Sequence, residues 1–392
     1  MGIITTEAWV LHQGPDARPS NKPEPGELKR EAFSFPEPEE HEVLAEPIYG
    51  CWEANMTHAL ERLPIDICLD RGEEKVVIGN AGVVRVLKPG KAVKTVKEGD
   101  LCIVFCSGVW DEAGYPLKIL AYDAPNTMGL LAKRIKLHEK QVIRIPRHTR
   151  HSHEQWAAFS LRYITAWANW GMAYGCWLLL MGNDRDTDAA PFVWGWGGGV
   201  SLAELLLAKH SGFRPVMLSS NEQRFEMLEK HGIKPIDRRK FANLYYDERR
   251  YKSDLPYRRE YLASEEAFLQ VVRENTGGRG ASIFIDYIGA PVFRATLKAL
   301  GLRGVVTTAG WKGGMMTSAA RAIECMNWHI HVHTHYATYQ QGLAAARFAE
   351  ERDWIPPVGS DVYGWDDIPR LGSDYAAGKT KTYFPIYQVN PL

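Results

Sequence analysis

Three groups of residues in this chain have the types and spacing to do chemistry. The first is Gly195, Gly197, Gly198 and Gly199, followed at once by Val200. Glycines so crowded let a backbone turn sharply and approach a ligand, and the exposed amides of a helix starting there favour a diphosphate. The second is Ser219, Ser220 and Arg224, at the distance where a dinucleotide fold handles the adenosine ribose. An NAD site usually places an acid there, whereas hydroxyls and a guanidinium suit a 2′-phosphate, so NADPH is expected over NADH. With Glu222 nearby, Arg224 also fits an ordinary solvated helix position. The third group is His329, His331, His333 and His335, which alternate and on a strand would share one face. Imidazoles ligate metals well, but strand neighbours two apart stand ~6.6 Å apart, which suits at most a pair on one ion. No metal site is therefore expected from this tract.

The elements that must position these groups can be read around the glycines. Phe192, Val193 and Trp194 form a short apolar run without helical period, which is a buried strand entering the turn. From Val200 to His210, Leu202, Leu205, Leu206 and Lys209 recur at helical spacing, and Gly212 stands where a left-handed C-terminal residue is wanted. Val216, Met217 and Leu218 make a second strand. Strand, glycine turn, helix and strand together form a dinucleotide-binding fingerprint, which a lone glycine motif would not. Before it, short apolar runs split by glycine (VVIGNAGVVRVLKPG, KEGDLCIVF, QVIRIP) indicate a β-rich, barrel-like domain. Residues 5–45, punctuated by Pro15, Pro19, Pro23, Pro25, Pro36 and Pro38, read as an extended arm that settles into strands only near Val43. A helical pattern runs from His153 to about Leu180. A charged, tyrosine-rich insert at about 241–264 carries Arg249, Arg250, Arg258 and Arg259, as a solvated or subunit-contact face or as a contact for phosphates.

Composition excludes several classes. The chain has 392 residues, 45% of them hydrophobic, enough for a substantial core and about two domains. Lys plus Arg and Asp plus Glu number 47 each, so no basic excess points to nucleic acid or an anionic membrane. The start shows no signal pattern and no stretch approaches a membrane span, so a cytoplasmic protein is expected. The six cysteines show no CxxC pair and read as reduced, mostly buried residues.

The order of a β-rich domain followed by a nucleotide domain resembles the medium-chain dehydrogenase/reductase superfamily across nearly the whole chain. The stretch VIGNAGVVRVLKPGKAVKTVKEGD, then Thr165-Ala166-Trp167, then the glycine turn carry that resemblance. It implies an α/β fold: a GroES-like catalytic domain from 1–160 and 336–392, and a Rossmann domain with a doubly wound parallel sheet from 161–335. Gly79-Asn80-Ala81 stands where zinc alcohol dehydrogenases carry Gly-His-Glu, and their four-cysteine lobe is absent, so the resemblance implies a zinc-free member. Within the superfamily, SSNEQR, DRRKF with the insert after it, FLQVVRENTGGRG, and VVTTAGWKGG before HTHYATYQQ resemble crotonyl-CoA carboxylase/reductases and related enoyl-thioester reductases.

That resemblance implies NADPH-dependent hydride addition to the β-carbon of an α,β-unsaturated thioester, carried by CoA or an acyl-carrier protein, in a homodimer or homotetramer. It implies Thr165 near the nicotinamide ribose and the backbone of Ala309 and Gly310 facing the carboxamide. Tyr122, Asp123 and His335 would order the substrate, a carbon dioxide molecule or a proton-donating water. Tyr122 also fits a packing aromatic, and Asp123 a turn-capping carboxylate with Asn126. The family's asparagine in the early strand is missing from Tyr49-Gly50-Cys51-Trp52, and its glutamate is matched by the shorter Asp123. Reduction is therefore expected to outrun carboxylation.

Overall fold

The computed structural model describes residues 2–15, 23–181, 190–310, 316–317, 319, 321–334 and 336–392. Chain contacts divide it into two units, residues 1–164 with 337–392, and residues 165–336.

The first unit opens with strands β1 (Ile3–His12) and β2 (Leu28–Pro36), paired antiparallel from Ile3 opposite Pro36 to Leu11 opposite Leu28. This corrects the expectation of an extended arm. Ala8, Val10 and Leu11 are wholly buried, and Pro36 enters β2 only at its end, where no central ladder bond is lost. Strand β3 (Glu42–Cys51) follows, then helices α1 (Ala54–Glu61) and α2 (Ile67–Arg71) and strand β4 (Lys75–Val76). Next come β5 (Gly82–Pro89), β6 (Leu101–Val104), the hairpin β7 (Ser107–Trp110) and β8 (Pro116–Ile119), β9 (Ile135–His138) and β10 (Val142–Arg144). Helix α3 (His153–Phe159) starts at a capping box made by Ser152 and Gln155. Ser160 and Leu161 separate it from α4 (Arg162–Met181), so the long helical pattern is two helices.

Six strands form the parallel sheet of the second unit among the described residues: β11 (Phe192–Trp196), β12 (Arg214–Ser219), β13 (Lys234–Asp237), β14 (Ala281–Asp286), β15 (Leu300–Thr308) and β16 (Ile330–His333). Their order is β13-β12-β11-β14-β15-β16, so successive strands add on one side of β11 and then on the other. All five residues of β11 are buried, as a strand covered on both faces requires. Helices α5 (Gly199–His210), α6 (Gln223–Lys230), α7 (Glu248–Ser253), α8 (Leu255–Thr276), α9 (Ala290–Ala299) and α10 (Arg321–Asn327) alternate with the strands. Most of the insert is helix, made of α7 and the start of α8. Asp254 accepts a hydrogen bond from the Tyr257 amide, Pro256 fits the first turn, and Gly277 at φ 60° ends α8. Phe268 of α8 stacks on Trp196 with centroids 5.2 Å apart and also meets Trp194, which seats the insert under the first strand.

The chain then returns to the first unit through α11 (Tyr339–Arg352), β17 (Val362–Tyr363), α12 (Ile368–Ala376) and β18 (Ile386–Gln388). Strand β18 pairs with β3, completing the sheet β10-β6-β5-β3-β18-β17, to which β9 adds through β3. No described helix is long and apolar enough to cross a membrane.

Candidate functional site

In the second unit the carboxyl ends of the parallel strands bring together the glycine turn and the residues expected at the ribose phosphate. Trp196, the last residue of β11, pairs with Leu218 of β12 and Asp286 of β14, placing the glycine turn where the sheet reverses its winding. Gly195 lies within β11. Gly197 has φ 140°, and a Cβ there would stand 2.4 Å from Ser201 Oγ and 2.9 Å from Tyr287 Cβ. Gly198, the cap of α5, is open: a Cβ there meets nothing within 4 Å. Gly199 is buried and Val200 half-buried at the helix start. Backbone thus fits tightly behind the turn and leaves space in front of it, where helix amides can meet an anion.

Ser219 ends β12, nearly buried, with its Oγ accepting from the Asn221 amide at 3.3 Å, while Ser220 is exposed and Arg224 is half-buried in the first turn of α6. The sequence reading missed a neighbour. Ser219 pairs with Asp237, the last residue of β13, so the basic run Arg238, Arg239 and Lys240 follows beside the same strand end. The run itself was the available signal. Arg239 binds Asp237 at 2.8 Å and Glu222 at 2.6 Å. Across the sheet, Ala309 and Gly310 follow β15, and Thr308 Oγ1 both donates to the Gly310 carbonyl at 2.7 Å and accepts from its amide at 3.2 Å. Thr165 is nearly buried in α4.

The first unit holds Tyr122 and Asp123 in the turn after β8. Asp123 Oδ1 accepts from the Ile119 amide at 2.5 Å, so one carboxylate oxygen is committed to capping the turn. Buried Arg71 pins the same loop by donating to the Thr127 carbonyl at 2.6 Å and to Glu73, whose Oε1 accepts from the Asn126 amide at 2.8 Å. Burial, then the nearby Asp123 and Asp70, push the Tyr122 phenol up to about 12, which keeps its proton in place as a donor. His335 lies outside the described residues.

Sequence reasoning also missed a buried polar group at the end of β3. Arg162 donates to Cys51 Sγ at 2.9 Å and to the Trp52 carbonyl at 2.7 Å, and its Nε stands 3.1 Å from Glu53 Oε2. Residues 110 and 111 apart meet here, beyond the reach of a local pattern. Gly50, one residue before, has no room for a side chain: a Cβ there would lie 2.1 Å from Tyr387 Cζ and 2.3 Å from its hydroxyl oxygen.

The remaining candidates resolve into local contacts. Glu324 Oε2 accepts from His329 Nδ1 at 2.9 Å and from His331 Nε2 at 3.0 Å. Among the described residues no group of three or more His, Cys, Asp or Glu could hold a metal ion. In the insert, Arg250 lies 4.2 Å over the Tyr257 ring and Arg258 5.0 Å over that of Tyr251.

One unit with a parallel sheet and a glycine turn at its reversal point, and another that is β-rich and mainly antiparallel, make up the fold of the medium-chain dehydrogenase/reductases, as the sequence led us to expect. The chain is similar in sequence and in fold to crotonyl-CoA reductases and carboxylase/reductases. It is 24% identical over 308 residues to a crotonyl-CoA reductase of Streptomyces avermitilis, a match over 76% of this chain that spans only 65% of that relative's length. Crotonyl-CoA carboxylase/reductase AntE, solved in complex with NADP, matches 99% of this chain and 95% of its own at 20% identity and a TM-score of 0.79. The 2-octenoyl-CoA carboxylase reductase CinF, solved with NADP and 2-octenoyl-CoA, matches 98% and 87% at 19% identity and a TM-score of 0.76. No protein-family model matches the chain.

Proposed function

We propose that this chain is an NADPH-dependent enoyl-thioester reductase that protonates its product enolate more readily than it carboxylates it. The observation that carries the reading is the glycine turn, closed behind by Ser201 and Tyr287 at Gly197 and open in front at Gly198. That shape fits a diphosphate laid on the amides of α5, and both AntE and CinF were solved with NADP.

When bound, NADPH would supply the hydride for the β-carbon of the unsaturated thioester. The residues of this chain would do the rest. Gly198, Gly199 and Val200 hold the diphosphate, while Ser219, Ser220 and Arg224 hold the ribose phosphate. Thr165 and the backbone of Ala309 and Gly310 orient the nicotinamide. Tyr122, Asp123 and His335 order the acyl substrate and the proton-donating water. With its proton held, the Tyr122 hydroxyl is suited to donate to the developing enolate oxygen.

Two features favour protonation. Carboxylation needs converging polar groups that hold carbon dioxide and keep water away. Here the neighbourhood where the family resemblance calls for an asparagine, Tyr49-Gly50-Cys51-Trp52, has none, and Asp123 spends one oxygen on the Ile119 amide. Losing a buried polar partner costs roughly 1–3 kcal/mol, about a five- to hundredfold shift between competing fates of one intermediate.

The test is NADPH oxidation with a panel of enoyl-CoA and enoyl-carrier-protein substrates, with and without bicarbonate, followed by mass spectrometry of the product. Mostly protonated acyl-thioester is expected even in saturating bicarbonate. A mainly carboxylated product, or tight NADPH binding with no turnover of any enoyl-thioester, would refute the proposal.

A further inference from the structure

A closed polar network lies at the centre of the second unit. Glu204 of α5 is wholly buried, and no Lys, Arg or His among the described residues pairs with it; instead it meets neutral groups. Tyr287 donates its hydroxyl to Glu204 Oε1 at 2.5 Å, and Asn169 Nδ2 lies 3.0 Å from each carboxyl oxygen and 3.1 Å from the Tyr287 hydroxyl. The other end of the amide, Asn169 Oδ1, accepts from Thr307 Oγ1 at 2.8 Å and Thr334 Oγ1 at 2.6 Å. A buried carboxyl group without a cation is expensive to ionise, and burial pushes Glu204 up to about 8 against the pull of its two hydrogen-bond partners. Threonine hydroxyls donate or accept, so turning the Asn169 amide keeps the network closed when the carboxyl is protonated.

Asn169, Glu204 and Thr307 each lie close in sequence to a segment assigned to the cofactor. Asn169 is one helical turn past Thr165, and Glu204 one turn past Val200. Thr307 immediately precedes Thr308, which clamps Gly310, and Thr334 precedes His335. The Tyr287 side chain packs close to two of these segments at once, its Cβ at Gly197 and its ring at Gly310. A Cβ on Gly197 would lie 2.9 Å from its Cβ, and one on Gly310 would lie 3.0 Å from its Cδ1. A shift of Tyr287 therefore moves the diphosphate turn and the loop after β15 together.

We propose that Glu204, acting through Asn169 and Tyr287, is a positioning residue that sets the glycine turn against the Gly310 loop and so aligns the nicotinamide end of the cofactor. This rests on the NADPH reading above. A network that fixes geometry between two segments should affect a ligand spanning both and spare one that reaches only the adenosine side.

The experiment measures dissociation constants for NADPH and for 2′,5′-ADP with the full chain and the variants Glu204→Ala, Glu204→Gln and Tyr287→Phe, with melting temperatures alongside. For Glu204→Ala we expect NADPH affinity to fall about tenfold, within the usual range for coupled sites, while 2′,5′-ADP affinity changes less than about twofold. Glu204→Gln, which keeps shape and hydrogen bonds without ionising, should restore NADPH affinity. Should Glu204→Ala not fold, Tyr287→Phe must give the same split between the two ligands. Equal weakening of both ligands, or no weakening of NADPH, in a folded variant overturns the proposal. Failure of the unaltered chain to bind NADPH would instead remove the cofactor reading beneath it, and this assignment with it.

Discussion

Replacing Gly198 should remove nucleotide binding and leave the fold intact, whereas replacing its neighbour Gly197 should damage the fold first. At Gly197, φ is 140° and an added Cβ would press on Ser201 Oγ and Tyr287 Cβ. Backbone strain and overpacking together put Gly197→Ala at roughly 2–5 kcal/mol of lost stability. Gly198 has φ −113° and open space around its Cβ, so Gly198→Ala and Gly198→Leu should stay within about 1 kcal/mol of the unaltered chain. The leucine would occupy the face of the α5 terminus where a diphosphate must lie. A hydrogen bond to a charged group contributes about 1.5–3 kcal/mol, so losing one or two weakens NADPH at least about tenfold. Fluorescence titration with NADPH, paired with thermal unfolding, separates the two effects. If Gly198→Leu binds NADPH within twofold of the unaltered chain, or loses affinity only in step with stability, the nucleotide lies elsewhere.

Further outcomes are expected elsewhere. Arg224→Ala should raise the NADPH Michaelis constant about tenfold with kcat nearly unchanged, as for a contact made equally in ground and transition states; equal use of NADH by the unaltered chain would contradict this. Arg71→Ala removes a buried guanidinium that holds the loop bearing Tyr122, and should cost roughly 3 kcal/mol in a denaturation curve. Glu204, at about 8 in the folded chain against an ordinary 4.5, adds stability that is complete below pH 4.5 and lost as pH rises through 8. Denaturant midpoints across that window should fall with pH more steeply for the unaltered chain than for Glu204→Gln.

Features set by neighbours in sequence were legible. The strand, glycine turn and helix at residues 192–210 read correctly because a buried apolar run, a residue free to adopt positive φ and a helical repeat are all local requirements. The caps of α8 were equally local. Asp254, Pro256 and Gly277 mark its ends, and the density of charge and tyrosine concealed them from a reading that stopped at composition. The first strands were hidden differently. The prolines between residues 15 and 25 lie between β1 and β2, and a partly exposed hairpin shows a weaker alternation than a central strand.

By itself, the sequence determined the fold class, the place of the glycine turn and the residue types at the end of β12, because each is encoded within one or two turns or strands of chain. Only the tertiary structure decided that Asn169, Glu204 and Tyr287 meet, across separations of 35 and 83 residues, or that Tyr387 takes the space beside Gly50. Glu204 reads in sequence as one more polar residue on a helix. Its role arises because packing of α5 against the sheet removes water from the carboxyl group and leaves it only neutral partners, a consequence of burial that no local pattern carries.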